Sequence, residues 1–370
     1  MVQAILTTLP MLVCAMITIM LILEQQRRTD GLLHWLIAWA ASATLLYAGH
    51  FVFFHHAVNW LPVTDTIYVA MNLWVYPLYL IYISELTDRI PLSQRRYATG
   101  LLLLPGIIAS ICCGMLYAAM SPTETAAFIH EYLYKNDIDE LSGLAVAQAT
   151  LHNACHMLFA IQVIGVAVAG IRKVRHYNHI TTLFYADTDD KEARGLTTIL
   201  TLMPVTVFFS ITVNNIGRSW FVDSMRLALP SIAFSCLLFA IGWTGMQQRF
   251  SARDILRQHA EKEPAPVIRA NTIQLCAKLE ALMDEEKLFL QHDLKLDDVS
   301  KRLGTNRTYL LQALSTGMHM TFKEYINRKR IMHADRLMAN NPTLSKIEVA
   351  TLSGYSSMSS FYRNYNQYHS

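Results

Sequence analysis

Charge is what this chain is short of. Asp, Glu, Lys and Arg make up 16% of its 370 residues, against about 25% in an average soluble domain. With 53% apolar residues, that excludes a disordered chain and a highly charged nucleic-acid coat protein. Glycine (15) and proline (11) are too few for a collagenous repeat. The six cysteines support no disulfide framework. Cys14, Cys112, Cys113, Cys155 and Cys236 lie in apolar runs and Cys276 in a part expected to face a reducing compartment, so they read as small packing residues. There is no Walker A loop, no kinase motif, no HExxH and no pair of carboxylates inside an apolar run, which argues against an enzyme. Net charge is only +3 and names no partner. A mean hydropathy of +0.26 is mild for a membrane protein and suggests one very apolar part and one ordinary part.

What is present first is a series of seven apolar runs, near 4–23, 32–54, 67–86, 97–120, 144–170, 196–216 and 225–246. Each is close to the ~20 residues that cross a ~30 Å hydrocarbon core. The first has no basic flank and no obvious cleavage site, and reads as a retained helix rather than a signal peptide. Ten Lys/Arg fall in the loops after runs 1, 3 and 5. Those after runs 2, 4 and 6 hold Lys135 and Arg218, with Arg226 at the border of run 7. This bias places the N-terminus outside and everything after Met246 in the cytoplasm. Trp60, Trp220 and Tyr117 stand near run ends, where interfacial aromatics belong.

From Gln247 the character changes. Arg249, Arg253 and Arg257 would form one basic stripe on a helix, either an ordinary positive flank or a contact for anionic lipid. Glu263-Pro-Ala-Pro266 interrupts it. The organisation is therefore a membrane domain over 1–247, a juxtamembrane linker over 248–267 and a soluble domain over 268–370, all of it α-helical.

In the soluble domain, Leu275, Leu279, Leu282 and Leu288 suit a first amphipathic helix. A second starts at Leu296, with Asp297 and Asp298 in the favoured first turn. Gly304-Thr305 breaks it, and Asn306 is a good N-cap for the next helix. A long helix over 321–338, with Phe322, Tyr325, Ile326, Ile331, Ala334 and Leu337 as its buried set, leads to a second short pair. That pair turns at Ser353-Gly354-Tyr355-Ser356. Two such pairs joined by one long helix are far more specific than either alone.

These residues resemble the AraC/XylS family of bacterial transcription regulators. The likeness is carried by Leu296-Asp-Asp-Val-Ser-Lys-Arg-Leu-Gly-Thr-Asn-Arg-Thr-Tyr-Leu310, Thr321-Phe-Lys-Glu-Tyr-Ile-Asn-Arg-Lys-Arg-Ile331 and Ile347-Glu-Val-Ala-Thr-Leu-Ser-Gly-Tyr-Ser-Ser-Met-Ser-Ser-Phe-Tyr-Arg363. It covers none of the first 267 residues, which look like a multi-span sensor in place of the family's soluble ligand-binding domain. The resemblance implies two recognition helices entering successive major-groove segments of double-stranded promoter DNA. From Lys301 onward ten Lys/Arg face only Glu324, Asp335 and Glu348, a balance suited to phosphate. Arg328, Lys329, Arg330 and Lys346 are the expected backbone contacts. Arg307, Thr308 and Gln312 on the first recognition helix, and Met358, Ser359, Tyr362 and Arg363 on the second, are the expected base readers. Leu310, Leu314 and Phe361 are expected in the core. Asn364 and Asn366 stand where the family often has apolar or basic residues, so the second helix is expected to read DNA more by shape and phosphate position.

Polar side chains inside spans are the remaining signal. His50, Asn72, His152, Asn153, His156, Asn214 and Asn215 all fall in the outer to middle part of their runs, as a ligand pocket opening outward would require. The competing reading is hydrogen bonding between helices. His152, Cys155 and His156 share one helix face at metal-ligand spacing, but Asn153 stands where a zincin helix needs Glu. No metal and no cofactor are expected. The acidic stretch 121–142 reads as a solvated outer loop, with a lid or a partner surface as alternatives. The function expected is a membrane-anchored one-component regulator responding to an unknown small ligand or membrane partner, with homodimerisation the simplest output. The alternative is a membrane transporter or enzyme carrying a regulatory or protein-interaction helical module. Seven spans do not divide into a transporter's equal halves.

Overall fold

In the computed structural model of the chain, residues 2–28, 31–186, 193, 195–204, 228–248 and 272–369 are described. Their regular structure is helical, apart from one isolated antiparallel β-bridge. The chain divides into two compact units: residues 1–175 with 194–251, and residues 176–193 with 252–370.

The first unit holds α1 (Val2–Arg27), α2 (His34–Phe54), α3 (Leu61–Thr87), α4 (Arg96–Ala119), the short α5 (Pro122–Ala127), most of α6 (Leu144–Phe184), α7 (Gly195–Pro204) and α8 (Ala228–Gln247). Of these, α1, α2, α3, α4 and α6 are long and apolar enough to cross a membrane by length and composition, while α7 and α8 are shorter apolar helices. The hub is α3. From Leu73 to Leu86 it buries side chains on every face, with Tyr79, Ile81, Tyr82 and Ile83 fully enclosed, as a helix apolar all round must. On α4 and α6 the opposite holds: Leu101, Met157 and Ile161 are exposed by 66–71%. Apolar faces of this extent are a liability in water and are what a bilayer covers. Arg28, after α1, is paired with Glu24 at 2.9 Å. It donates to the carbonyls of Met246 and Gln248, the latter at 2.7 Å, and so satisfies the C-terminus of α8.

Three expectations are corrected here. The third helix begins at Leu61 rather than near 67, because Pro62 in its first turn lacks the donor that position cannot use anyway. That brings Asp65 inside the helix. The stretch 121–142 is not a solvated loop. Ser121 and Glu124 form a capping box for α5, a π-helical turn follows over Phe128–Tyr134, and Phe128, Ile129, Tyr132 and Leu133 are buried with Leu61, Met120, Ala145 and Ala149. Of its acidic side chains, Asp139 and Glu140 are exposed, and Glu124, Glu131 and Asp137 are half-buried. Glu124 also accepts from the Leu144 amide at 3.0 Å, and its pKa is lowered by the Ser121 and Leu144 N–H groups it holds. Finally, α6 does not stop near 170. It runs 41 residues, about 60 Å at ~1.5 Å per residue, roughly twice a hydrocarbon core. No glycine or proline interrupts 171–186.

The second unit holds α9 (Thr272–Glu286), α10 (Leu296–Arg302), α11 (Arg307–Gln312), α12 (Phe322–Asn340), α13 (Lys346–Leu352) and α14 (Met358–His369). It also takes in residues 176–193. Tyr185 bridges to Lys295, and the Ala186 amide donates to the Leu294 carbonyl at 3.2 Å. The Arg249–Arg257 stripe and the Pro264–Pro266 break lie outside the described residues.

Candidate DNA-binding interface and outer polar site

Each of the two helix pairs in the second unit is built by the same local chemistry. In the first, α10 packs Leu296 and Val299 inward, Gly304 turns the chain with φ +63°, and the Asn306 side chain accepts from the Tyr309 amide at 2.9 Å to start α11. In the second, Ser345 and Glu348 form a capping box for α13, and Gly354 turns the chain with φ +84° into α14. The connecting helix α12 starts on a Thr321–Glu324 capping box. Its Ile331 and Ala334 form one core with Val349, Ala350, Tyr355 and Phe361 of the second pair. Leu310, Leu314 and Phe361 are buried, as expected.

The expected contacts separate by exposure. Thr308 and Gln312, one turn apart on α11, are exposed, and so are Ser359, Tyr362 and Arg363, which share a face of α14 by their spacing. Lys346 lies over the Tyr362 ring at 5.6 Å. Arg307 is half-buried, and Met358 is half-buried against the second core. The three consecutive cations of α12 go three ways, since neighbours on a helix point about 100° apart. Arg328 is exposed. Lys329 turns to α9, where Glu280 and Asp284 hold its ammonium at 2.5 and 2.8 Å. Burial opposes its charge, but these two acids outweigh that and raise its pKa.

Arg330 is a correction. It is 1% exposed, donates from Nε to the Phe289 carbonyl at 2.6 Å and from Nη2 to that of Gln291 at 2.7 Å, and sits 5.4 Å from the Tyr355 ring centroid. A guanidinium so enclosed is a strut inside the domain and cannot reach a phosphate.

Residues 299–370 match the family model described as a helix-turn-helix domain. The match supports an AraC-type helix-turn-helix domain at this end of the chain. It likewise supports a DNA-binding, regulatory role for these residues. No curated protein and no solved structure matches the chain. The helix-turn-helix match begins at Val299, so α9 and the first half of α10 lie ahead of it.

In the first unit the polar side chains expected to gather do so only in part. His152, buried in α6, meets Asp65 of α3, its Nε2 lying 2.9 Å from Oδ2 and 3.2 Å from Oδ1. The Tyr117 hydroxyl of α4 donates to the same Oδ2 at 2.7 Å. Cys113, one turn earlier on α4, is fully buried, with its Sγ 4.0 Å from that oxygen. Phe128 and Tyr132 of the outer segment pack their rings 5.3 and 5.9 Å from His152, and the Tyr132 hydroxyl donates to Asn153 at 2.8 Å.

His50 lies in an aromatic group with Tyr47, Phe54 and Tyr68; Asn72 is buried in α3; His156 is half-buried. Asn214 and Asn215 lie outside the described residues. The same-helix triad does not assemble, because Cys155 packs with Val69, Leu73, Ala109 and Cys113. Asp65 precedes the third apolar run, so hydropathy alone does not place it in a helix. Pro62, which favours a helix start, was the available signal.

Proposed function

We propose that the chain is a membrane-anchored, one-component transcriptional regulator of a bacterial inner membrane. Seven spans, with the N-terminus outside, carry the helix-turn-helix domain on the cytoplasmic side. A signal received at the outer polar site shifts the bundle between two states, and the domain engages paired promoter sites as a homodimer. A ligand drives such a shift only by its different affinity for the two states. The reading is carried by one observation: the AraC-type helix-turn-helix match at 299–370 follows five long apolar helices in the same chain. The run of Lys and Arg in alternate loops supports the orientation.

Within the domain, Thr308, Gln312, Ser359, Tyr362 and Arg363 are the proposed readers. Arg307 and Arg328 are proposed to contact the phosphate backbone. Lys329 and Met358 are assigned to packing and pairing within the domain.

Chromatin immunoprecipitation of the full-length protein should recover a few discrete promoters. Arg363→Ala should lower occupancy by about 10- to 100-fold, the range expected for one lost base or phosphate contact, at unchanged membrane abundance. Unaltered occupancy, or no enriched promoter, would overturn the reading.

A further inference from the structure

We propose that Asp65, Cys113 and His152, completed by the side-chain oxygen of Gln148, form a buried site for one divalent transition-metal ion of the zinc type. Using it as the signal rests on the regulator reading above; the site itself does not.

The geometry is the first ground. One ligand atom from each of Asp65, Cys113 and His152 lies within 4.8 Å of the other two, and all three residues are buried. In a tetrahedral zinc site with bonds of about 2.0–2.3 Å the ligand atoms stand roughly 3–4 Å apart. The 2.9 Å and 4.0 Å separations of Asp65 Oδ2 from His152 Nε2 and Cys113 Sγ bracket that range.

The second ground is the supporting shell. His152 Nδ1 lies 2.9 Å from the backbone carbonyl of Gln148, one turn earlier on α6. A carbonyl can only accept, so Nδ1 carries the hydrogen and Nε2 is the nitrogen turned toward Asp65. A metal-binding histidine is held the same way, with its second nitrogen fixed by a backbone acceptor.

Gln148 supplies the third. It is 0% exposed; its Nε2 lies 3.0 Å from Cys113 Sγ, and its Oε1 is buried without a hydrogen-bond partner. An enclosed amide oxygen with nothing to accept is costly. Rotating the amide by half a turn carries this oxygen to the side of Cys113, where it becomes the fourth ligand.

Charge decides the kind of ion. A carboxylate and a thiolate together cancel a divalent cation, and a neutral cluster is what a low-dielectric interior tolerates. One thiolate, one imidazole and a single carboxylate suit zinc and its neighbours; magnesium and calcium require oxygen ligands throughout. Loading displaces two protons: that of the Cys113 thiol, and the one shared between Asp65 and His152 Nε2. Because α3, α4 and α6 each contribute, and Phe128 and Tyr132 lie on His152, occupancy at this point would tie three helices and the outer segment together.

The test uses the full-length protein in nanodiscs, stripped with a chelator. Zinc titrated against a chromophoric competitor should bind at one equivalent per chain, with magnesium and calcium failing to compete. Cobalt(II) should give tetrahedral ligand-field bands and a thiolate-to-cobalt charge-transfer band. Cys113→Ser should remove that charge-transfer band while Cys155→Ser keeps it. His152→Ala should weaken zinc by more than the roughly 10- to 100-fold that losing a supporting contact costs. An unchanged helical circular-dichroism spectrum and a single elution peak of the nanodisc-held protein for each variant are the check on folding.

Failure to bind stoichiometric zinc, or a thiolate–cobalt band that survives Cys113→Ser, overturns the site. If promoter occupancy persists while zinc binding fails, the regulator reading stands and the site falls. If zinc binds but no promoter is occupied, the site stands and the regulator reading falls.

Discussion

Arg330 carries the clearest residue-scale lesson in the second unit. Following two other cations, it has the composition of a phosphate contact, yet its guanidinium satisfies two carbonyls, those of Phe289 and Gln291, and lies beside the Tyr355 ring. Removing it leaves those acceptors unpaired in the interior, where hydrogen bonds to a charged group are worth about 1.5–3 kcal/mol each. Arg330→Met is therefore expected to destabilise the second unit by about 3 kcal/mol, read by urea-dependent proteolysis of the full chain. Arg330→Lys should recover little, since an ammonium cannot span both carbonyls as a planar fork does. If Arg330→Met instead kept full stability and lost only DNA affinity, the strut assignment would be wrong. Asp65 teaches the converse: lying ahead of the apolar run that begins near 67, it is the centre of a buried cluster because the helix starts six residues earlier.

At the scale of elements, the two turns look alike in sequence and differ in what surrounds them. Both glycines have positive φ, +63° at Gly304 and +84° at Gly354. A Cβ on Gly304 would meet nothing within 4 Å, whereas one on Gly354 would lie 2.8 Å from the backbone of Leu290. Gly304→Ala should cost about 1 kcal/mol, the strain of a left-handed residue alone. Gly354→Ala should cost clearly more, about 2–3 kcal/mol, because the clash is with main chain that cannot rotate away. Equal losses in denaturant melts would mean that the second turn is not pressed against the 288–290 segment. Caps and turn residues were legible in the chain: Asn306 at the start of α11, the glycines, and the buried stripe of α12. The end of α6 was not. Its apolar run closes near 170, and what carries the helix on to Phe184 is a polar stretch with no breaker.

For the molecule as a whole, His333 gives the second unit a pH response. In the second, His333 has its pKa lowered, first by burial and then by the charges of Lys287 and Arg336; its ring also packs on Phe289. A histidine lowered in the folded state binds more protons when unfolded. Stability is then fully present above the ordinary value of 6.5 and is lost as pH falls through it. The second unit should therefore grow more susceptible to proteolysis between pH 7.5 and 5.5 (about one unit either side of that value), and His333→Gln should flatten the profile. A slope unchanged by that substitution would place the titration elsewhere.

Hydrophobic period and turn residues were enough to mark several apolar helices, the Asn306 cap and the paired helix-turn-helix pattern, because each depends on neighbours within a few residues. Leu310, Leu314 and Phe361 were assigned to the core on those grounds. Tertiary structure alone decided what depends on which faces meet. It turned Lys329 toward α9 and buried Arg330, while leaving Arg328 exposed. It folded Phe128 and Tyr132 onto His152. It also brought Asp65, Cys113 and His152 from three helices to one point, 48 and 39 residues apart in the chain. A one-dimensional pattern records how apolar a side chain is and how often its kind recurs, but not which distant side chain will stand opposite it.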